Sequence, residues 1–175
     1  MNPFLSLAGA GMIFGGEAAV MFWRKRTGAG WRYFGLGALM WVAAIIPKVV
    51  MDFTLTPILS AEVFRYGVLT YLVVMGVYIG LRTGLFESGF SYVAALKKLR
   101  EVGWKEAIAF GLGFGAIEAV LLGCQNLVSI LTLYFLPSTL GSLPQALQKS
   151  LSLPTIVVFA SIAERVFAML LHLFA

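Results

Sequence analysis

The sequence predicts an all-α membrane protein: a polytopic transmembrane helix bundle of about five spans, forming a single domain over residues 1–175. Three observations lead there. Hydrophobic residues make up 60% of the chain and charged residues 12%, with a mean hydropathy of +0.91, whereas an ordinary soluble domain has about 45–50% apolar and about 25% charged residues. The apolar residues come in runs of at least the roughly 20 positions that a bilayer crossing needs. Short basic or Pro/Gly segments separate those runs.

The first run extends from Pro3 to Trp23 and meets Arg24, Lys25 and Arg26 at once, with Arg32 just beyond. No basic residue precedes it, so it reads as an uncleaved signal anchor rather than a removed leader. The second run, Tyr33 to Leu55, is expected to end at a Pro57 turn. A third begins near Phe64 and meets no strongly polar boundary until Lys97, Lys98 and Arg100, which is about 50 Å of helix. A straight crossing needs only about 30 Å, so helix three must tilt, protrude or break, and Gly84 and Gly89 mark the expected break. The fourth run, Glu106 to Leu136, is over-long in the same way, with Gly123 as the point where it could split. A loop containing Pro137, Gly141, Pro144, Gln148, Lys149 and Pro154 leads to the last run, Thr155 to Phe174. That run reaches Ala175 with no polar flank, and the natural protein is expected to continue past it.

Eight of the 13 Lys and Arg residues fall between Arg24 and Arg32 or between Lys97 and Lys105. The positive-inside rule places both segments in the cytoplasm and the N-terminus outside, in a multi-pass protein of the cell membrane. The net charge of +5 is then a matter of topology, and the partner it implies is the lipid bilayer, with no nucleic acid. The single cysteine, Cys124, excludes an intramolecular disulfide and reads as a packed small residue. One histidine without an HExxH or cysteine cluster gives only weak support to a metal site, since carboxylates would have to do nearly everything, and no cofactor is expected. Trp23, Trp31, Trp41 and Tyr33 sit near span ends and suit interfacial anchoring.

Ionisable residues inside the apolar runs are the functional signal, because each costs about 2.5–3.5 kcal/mol at a helix centre and normally faces a partner or a watery cavity. Glu87, Glu118, Glu164, Arg165 and His172 are the five that stand out. Depths counted at 1.5 Å per residue put Glu87 and His172 in the cytoplasmic half, near Phe114, and Glu118, Glu164 and Arg165 nearer the midplane. A carboxylate beside an imidazole could activate water as a general base. Structural readings compete with this one. Arg165 could form an ion pair with Glu118 or Glu164, Lys48 and Asp52 stand four apart and could neutralise each other, and Arg82 could pair with Glu87 after a local break. Glu17 has no evident partner. The glycine-rich stretch GLGFGAIEA from Gly111 to Ala119 lies inside an apolar helix, where Gly111 and Gly115 form a small-xxx-small packing face rather than a phosphate loop.

Three blocks, GLFESGFSY from Gly84 to Tyr92, WKEAIAFGLGFGAIEAVLLG from Trp104 to Gly123 and ERVFAMLLH from Glu164 to His172, together resemble the signatures of the YhfC family of membrane proteins. The resemblance covers Trp31 to the end. It implies a glutamic-type intramembrane protease related to CAAX prenyl endopeptidases and bacteriocin-processing enzymes, cutting a membrane-embedded or lipidated peptide near the cytoplasmic leaflet. By that likeness Glu87 and His172 are the catalytic pair, Glu87 activating water and His172 orienting it or holding the oxyanion. Glu118, Glu164 and Arg165 match family positions in supporting roles. The chain departs from the family pattern where Ser88 and Ser91 replace a second glutamate and an arginine, and where Phe114 replaces a histidine. A non-enzymatic module that uses its buried charges to bind a small ion, a lipid headgroup or a solute is the alternative, and a scaffold in which all five charges are paired is a third reading.

Overall fold

The computed structural model describes residues 2–99 and 101–173. After a short 3-10 turn, Pro3–Leu5, the helices are α1 (Ser6–Thr27), α2 (Trp31–Phe64), α3 (Val68–Thr83), α4 (Gly89–Lys98), α5 (Trp104–Phe135), α6 (Gln145–Ser150) and α7 (Val157–Leu171). A π-helical turn, Gly84–Ser88, joins α3 to α4, and a 3-10 turn, Pro137–Ser142, follows α5. No strand occurs among the described residues. The all-α, polytopic class is therefore established.

Among the described residues four stretches are long and apolar enough to cross a membrane: Pro3–Thr27, Trp31–Phe64, Val68–Lys98 and Trp104–Phe135. The fifth expected span is represented by α7, which has 15 residues and is shorter than a straight crossing requires. Its start is delayed by Pro154, so regular helix begins at Val157.

Three sequence expectations change in the structure. Helix α2 does not stop at Pro57 but carries both Pro47 and Pro57 and continues to Phe64. A proline removes one backbone donor, and apolar helices tolerate that where nearby hydroxyls and neighbouring helices compensate. The chain reverses instead at Gly67, whose φ of 97° is a conformation that glycine adopts without a Cβ penalty. Helix α5 does not split at Gly123. That residue allows close approach to α1: a Cβ on Gly9 would lie 2.5 Å from the Gly123 carbonyl oxygen, and one on Gly123 would lie 2.7 Å from the Gly9 oxygen. Between Gly84 and Gly89, where a break was expected, the helix widens into the π turn and continues.

The chain forms two compact units. The first contains the residues up to Ala38 together with those from Trp104 onward, and α5 is its hub. Small residues let backbones meet α5 on three sides. Gly113 abuts the backbone of Phe34 in α2, Gly115 abuts Met169 of α7 and Gly123 abuts α1. In a bilayer such contacts replace the hydrophobic effect, because lipid tails are as apolar as the side chains they would displace. Phe34, Ala109, Leu112, Ala116 and Met169 form the buried core, while Phe14 and Phe167 point outward, as lipid-facing side chains do. Polar stitches close the ends: Asn2 N–H donates to the Leu151 carbonyl at 2.7 Å, Trp23 Nε1 donates to the Lys105 carbonyl at 3.0 Å, and Gly9 N–H donates to Asn126 Oδ1 at 3.0 Å. Cys124, expected to be packed, is exposed on α5, one position along from the face that Gly123 presents to α1.

The second unit, Leu39–Gly103, is built on a ladder of polar pairs between α2 and the α3–α4 run. Ser60 Oγ donates to Tyr71 Oη at 3.3 Å, Thr56 Oγ1 and Tyr78 Oη lie 3.0 Å apart, Arg82 binds Asp52, and Lys48 binds Glu87. On α2 the four rungs recur every fourth residue, which is one helix face. On the other side the last step, from Arg82 to Glu87, is five residues. A π turn absorbs one extra residue, and the one at Gly84–Ser88 brings Glu87 rather than Phe86 into register with Lys48.

Candidate active site

Two charge systems contain the residues singled out from the sequence, one in each unit. In the first unit, Phe114 and Glu118 stand four apart on α5 and so share a face. Gly111 and Gly115 lie on that face too, and their missing side chains admit α7: a Cβ on Gly111 would come 2.6 Å from the His172 carbonyl oxygen. On α7, Arg165, Met169 and His172 follow the i, i+4, i+7 spacing that aligns side chains on one stripe. The two faces meet. Glu118 Oε2 lies 3.0 Å from His172 Nε2, and Arg165 Nη1 donates to Glu118 Oε1 at 2.8 Å. Arg165 also grips the neighbouring Glu164 through Nη2, so one guanidinium serves both carboxylates.

Burial sets the strength of these contacts. The side chains of Glu118, Arg165 and His172 are 18%, 15% and 13% exposed, and Glu164 is 60% exposed. Charge-assisted hydrogen bonds in such a screened, low-dielectric setting are roughly twice as strong as neutral ones. The His172 ring packs on Phe114, with centroids 4.6 Å apart and planes inclined by 47°, and Phe114 is fully buried. His172 caps the end of α7, its N–H donating to the Ala168 carbonyl at 3.1 Å. The ring is thus held at Nε2 by Glu118 and on its face by Phe114. With Nε2–H donating to Glu118, Nδ1 is the acceptor of the neutral ring, and it has no hydrogen bond among the described residues. A polar groove of about 370 Å³ bordered by Gln125, Asn126 and Ser129 reaches Glu164 and Arg165.

In the second unit Glu87 is held by Lys48, with side chains 13% and 12% exposed. Arg82 is bound to Asp52 and also reaches the Lys48 carbonyl and Thr56 Oγ1, each at 3.4 Å. The expected pairing of Lys48 with Asp52, and the alternative of Arg82 with Glu87, are both replaced by crossed pairs between helices. The reason is register. With rungs four apart on α2 and the π turn on the other side, each cation has a carboxylate directly across from it. The Lys48–Glu87 pair was not among the expected ones, although the recurrence of Lys48, Asp52, Thr56 and Ser60 at every fourth position signals it. Glu87 and His172 belong to different units, and each has a partner within its own. Ser88 lies in the π turn and Ser91 is buried on α4.

A protein-family model described as YhfC intramembrane metalloprotease matches residues 11–175. The chain belongs to the YhfC family. No curated protein and no solved structure matches it significantly. For a YhfC chain, the family description raises the question of whether the donors present suit a metal ion. A catalytic zinc takes three protein ligands and keeps one position open. Among the described residues no three His, Cys, Asp or Glu side chains converge on a common point. Glu118 and His172 supply two donors, and the Arg165 guanidinium at 2.8 Å from Glu118 places a positive charge where a cation would have to sit. These side chains do not fit a metal centre.

Proposed function

We propose that this chain is an intramembrane protease that works without a metal, with His172 as the general base and Glu118 as its orienting carboxylate. The reading is carried by the 3.0 Å contact between Glu118 Oε2 and His172 Nε2, which leaves Nδ1 to take a proton. Water at Nδ1 loses that proton as its oxygen attacks the scissile carbonyl. Glu118 holds the ring's direction and offsets the positive charge that forms on it. Collapse of the tetrahedral intermediate breaks the C–N bond, and the imidazolium returns its proton to the departing amine. Arg165 keeps Glu118 in place. The groove beside Gln125, Asn126 and Ser129 offers amide and hydroxyl groups to an unwound peptide backbone, whose polar groups need such partners inside a membrane. The substrate class is a membrane-embedded or lipidated peptide, and cleavage falls on the cytoplasmic side. Glu87, the water activator that the family resemblance suggests, is bound to Lys48 within the second unit.

The test is cleavage of a fluorogenic transmembrane reporter by the full chain in vesicles. The proposal expects turnover that survives chelators and is lost in His172→Ala and Glu118→Gln while both variants remain folded. Wild-type-like cleavage by His172→Ala, or loss of turnover on chelation with recovery on adding zinc, would overturn it. A second reading has its own observation. Each of Glu87, Glu118, Glu164, Arg165 and His172 already has a partner, which is the condition for a charge-neutralised scaffold with no hydrolytic activity. Absence of cleavage across a panel of reporters, with normal folding, would favour that scaffold.

A further inference from the structure

Within the apolar helices, Lys48, Asp52, Arg82, Glu87, Glu118, Glu164, Arg165 and His172 all have charged partners. Glu17 does not: no hydrogen bond or ion pair reaches it among the described residues. It stands near the middle of the Pro3–Thr27 span, where an unpaired carboxylate is costly and marks a site by default. It lines an apolar groove of about 450 Å³ in the first unit, together with Trp31, Phe34, Gly35 and Ile117. Seven residues, or about 10 Å, further along α1, Arg24 sits over the Trp31 ring at 4.6 Å from its centroid. The groove therefore carries a negative point at depth and a positive one at its rim.

We propose that this groove receives a transmembrane helix of another protein, through one lysine or arginine that pairs with Glu17. Three features select that occupant. A deep carboxylate calls for a cation at the same depth, and a lipid's ammonium group stays at the headgroup level, about 15 Å away at half the hydrocarbon thickness. Gly35 in the groove's lining has open space where a side chain would stand and so admits a helix backbone closely, the arrangement on which helix association in lipid depends. A second copy of this chain is a poor match: its membrane-embedded cations Lys48, Arg82 and Arg165 are already bound to carboxylates, and parallel α1 helices would set Glu17 against Glu17. The inference stands apart from the protease reading, because Glu17 and the Glu118–His172 pair share no contact.

Cys124 is the sole cysteine and is exposed, so a single acceptor dye can be placed there on the full chain. Donor-labelled Leu/Ala transmembrane peptides that differ only in a central Lys or Leu would be mixed with it in phosphatidylcholine vesicles and energy transfer recorded. The expected result is at least about tenfold tighter association of the Lys peptide, about the size of one desolvated charge pair. That preference disappears in Glu17→Gln, and Glu17→Lys transfers it to a peptide with a central Glu. Glu17→Gln removes no partner, so its unfolding temperature should match the wild type and any loss can be assigned to the groove. Equal association of the Lys and Leu peptides, or a Lys preference that survives Glu17→Gln, would overturn the proposal. So would binding of dodecylammonium without any peptide preference, which would assign the groove to a small amphiphile.

Discussion

A helix normally punishes deletion and insertion alike, because either turns everything beyond it by about 100°. The π turn at Gly84–Ser88 makes the second unit an exception with a defined sign. Arg82 and Glu87 are five apart, yet they occupy successive rungs opposite Asp52 and Lys48. Deleting Leu85 leaves four residues of spacing, which a regular α-helix meets without any π turn, so Glu87 should still reach Lys48 and α4 should keep its orientation. The deleted side chain is 69% exposed and gives up little packing. Inserting an alanine after Leu85 does the opposite. It swings Glu87 away from Lys48 and leaves two poorly solvated charges apart, at a cost of about 3 kcal/mol. For a chain of this size that corresponds to a fall of about 6–12 °C in unfolding temperature, against a change within about 2 °C for the deletion. Circular dichroism melts in detergent micelles measure both. Glu87→Gln should add nothing further in the insertion background. Equal losses from deletion and insertion would refute the register argument.

Close backbone approach gives a second prediction. Gly113→Ala should destabilise by about 2 kcal/mol or more, because its Cβ meets the Phe34 backbone rather than a movable side chain, whereas Gly15→Ala, with nothing near its Cβ, should be neutral or stabilising by up to about 1 kcal/mol. Parallel melts would check the pair. A double-mutant cycle tests the Lys48–Glu87 rung: Lys48→Met alone should cost about 3 kcal/mol, while Lys48→Met with Glu87→Leu should recover most of that loss, because it removes both charges instead of stranding one. Cleavage assays on Glu87→Gln separate the roles of the two carboxylates. If only His172 and Glu118 carry the chemistry, Glu87→Gln keeps turnover at the reporter, and a loss of turnover without unfolding makes Glu87 a participant.

Composition and run length were enough to read the membrane class, because a bilayer imposes a single dominant constraint on hydropathy. They were less informative about helix ends. Pro57 signals a stop in water, and inside an apolar helix flanked by Thr54 and Thr56 it does not act as one; Thr54 Oγ1 donates back to the Val50 carbonyl at 2.8 Å. Gly123 reads equally well as a break or as a contact, and only the approach of Gly9 decides between them. For the site, Arg165 with Glu118 and Glu164 was legible from depth and charge. The Glu118–His172 contact was not. Counting residues along straight helices set His172 about 11 Å from the layer of Glu164 and Arg165, but Arg165 and Glu118 have long side chains that bridge the seven residues from Arg165 to His172 along one stripe. The crossed pairs of the second unit were hidden for a related reason, since a π turn changes register by one residue without any distinctive sequence beyond its flanking glycines.

The two charge systems differ in a way that bears on which can do chemistry. Along the ladder of the second unit the charges form two one-to-one pairs, Lys48 with Glu87 and Arg82 with Asp52, and the groups alongside them, Thr56, Tyr71 and Tyr78, are neutral hydroxyls that extend the ladder. Each charge of the ladder has an opposite partner, although Arg82 Nε is buried without a hydrogen bond, and the work of such a set is to hold helices in register within lipid. In the first unit Glu118 divides its two oxygens between Arg165 and His172. A carboxylate so divided fixes an imidazole by one nitrogen while leaving the other unbonded among the described residues. Proton transfer requires that asymmetry: a group held firmly in direction, with one acceptor position open toward a reactant. Lys48 and Arg82 could not take that role in Glu87's unit, because both are donors whose charge is already spent on a carboxylate. The hydrolytic reading therefore rests on the first unit's triad of Glu118, Arg165 and His172, and Glu87 enters it only if its loss stops turnover while the Lys48 rung can be removed without consequence.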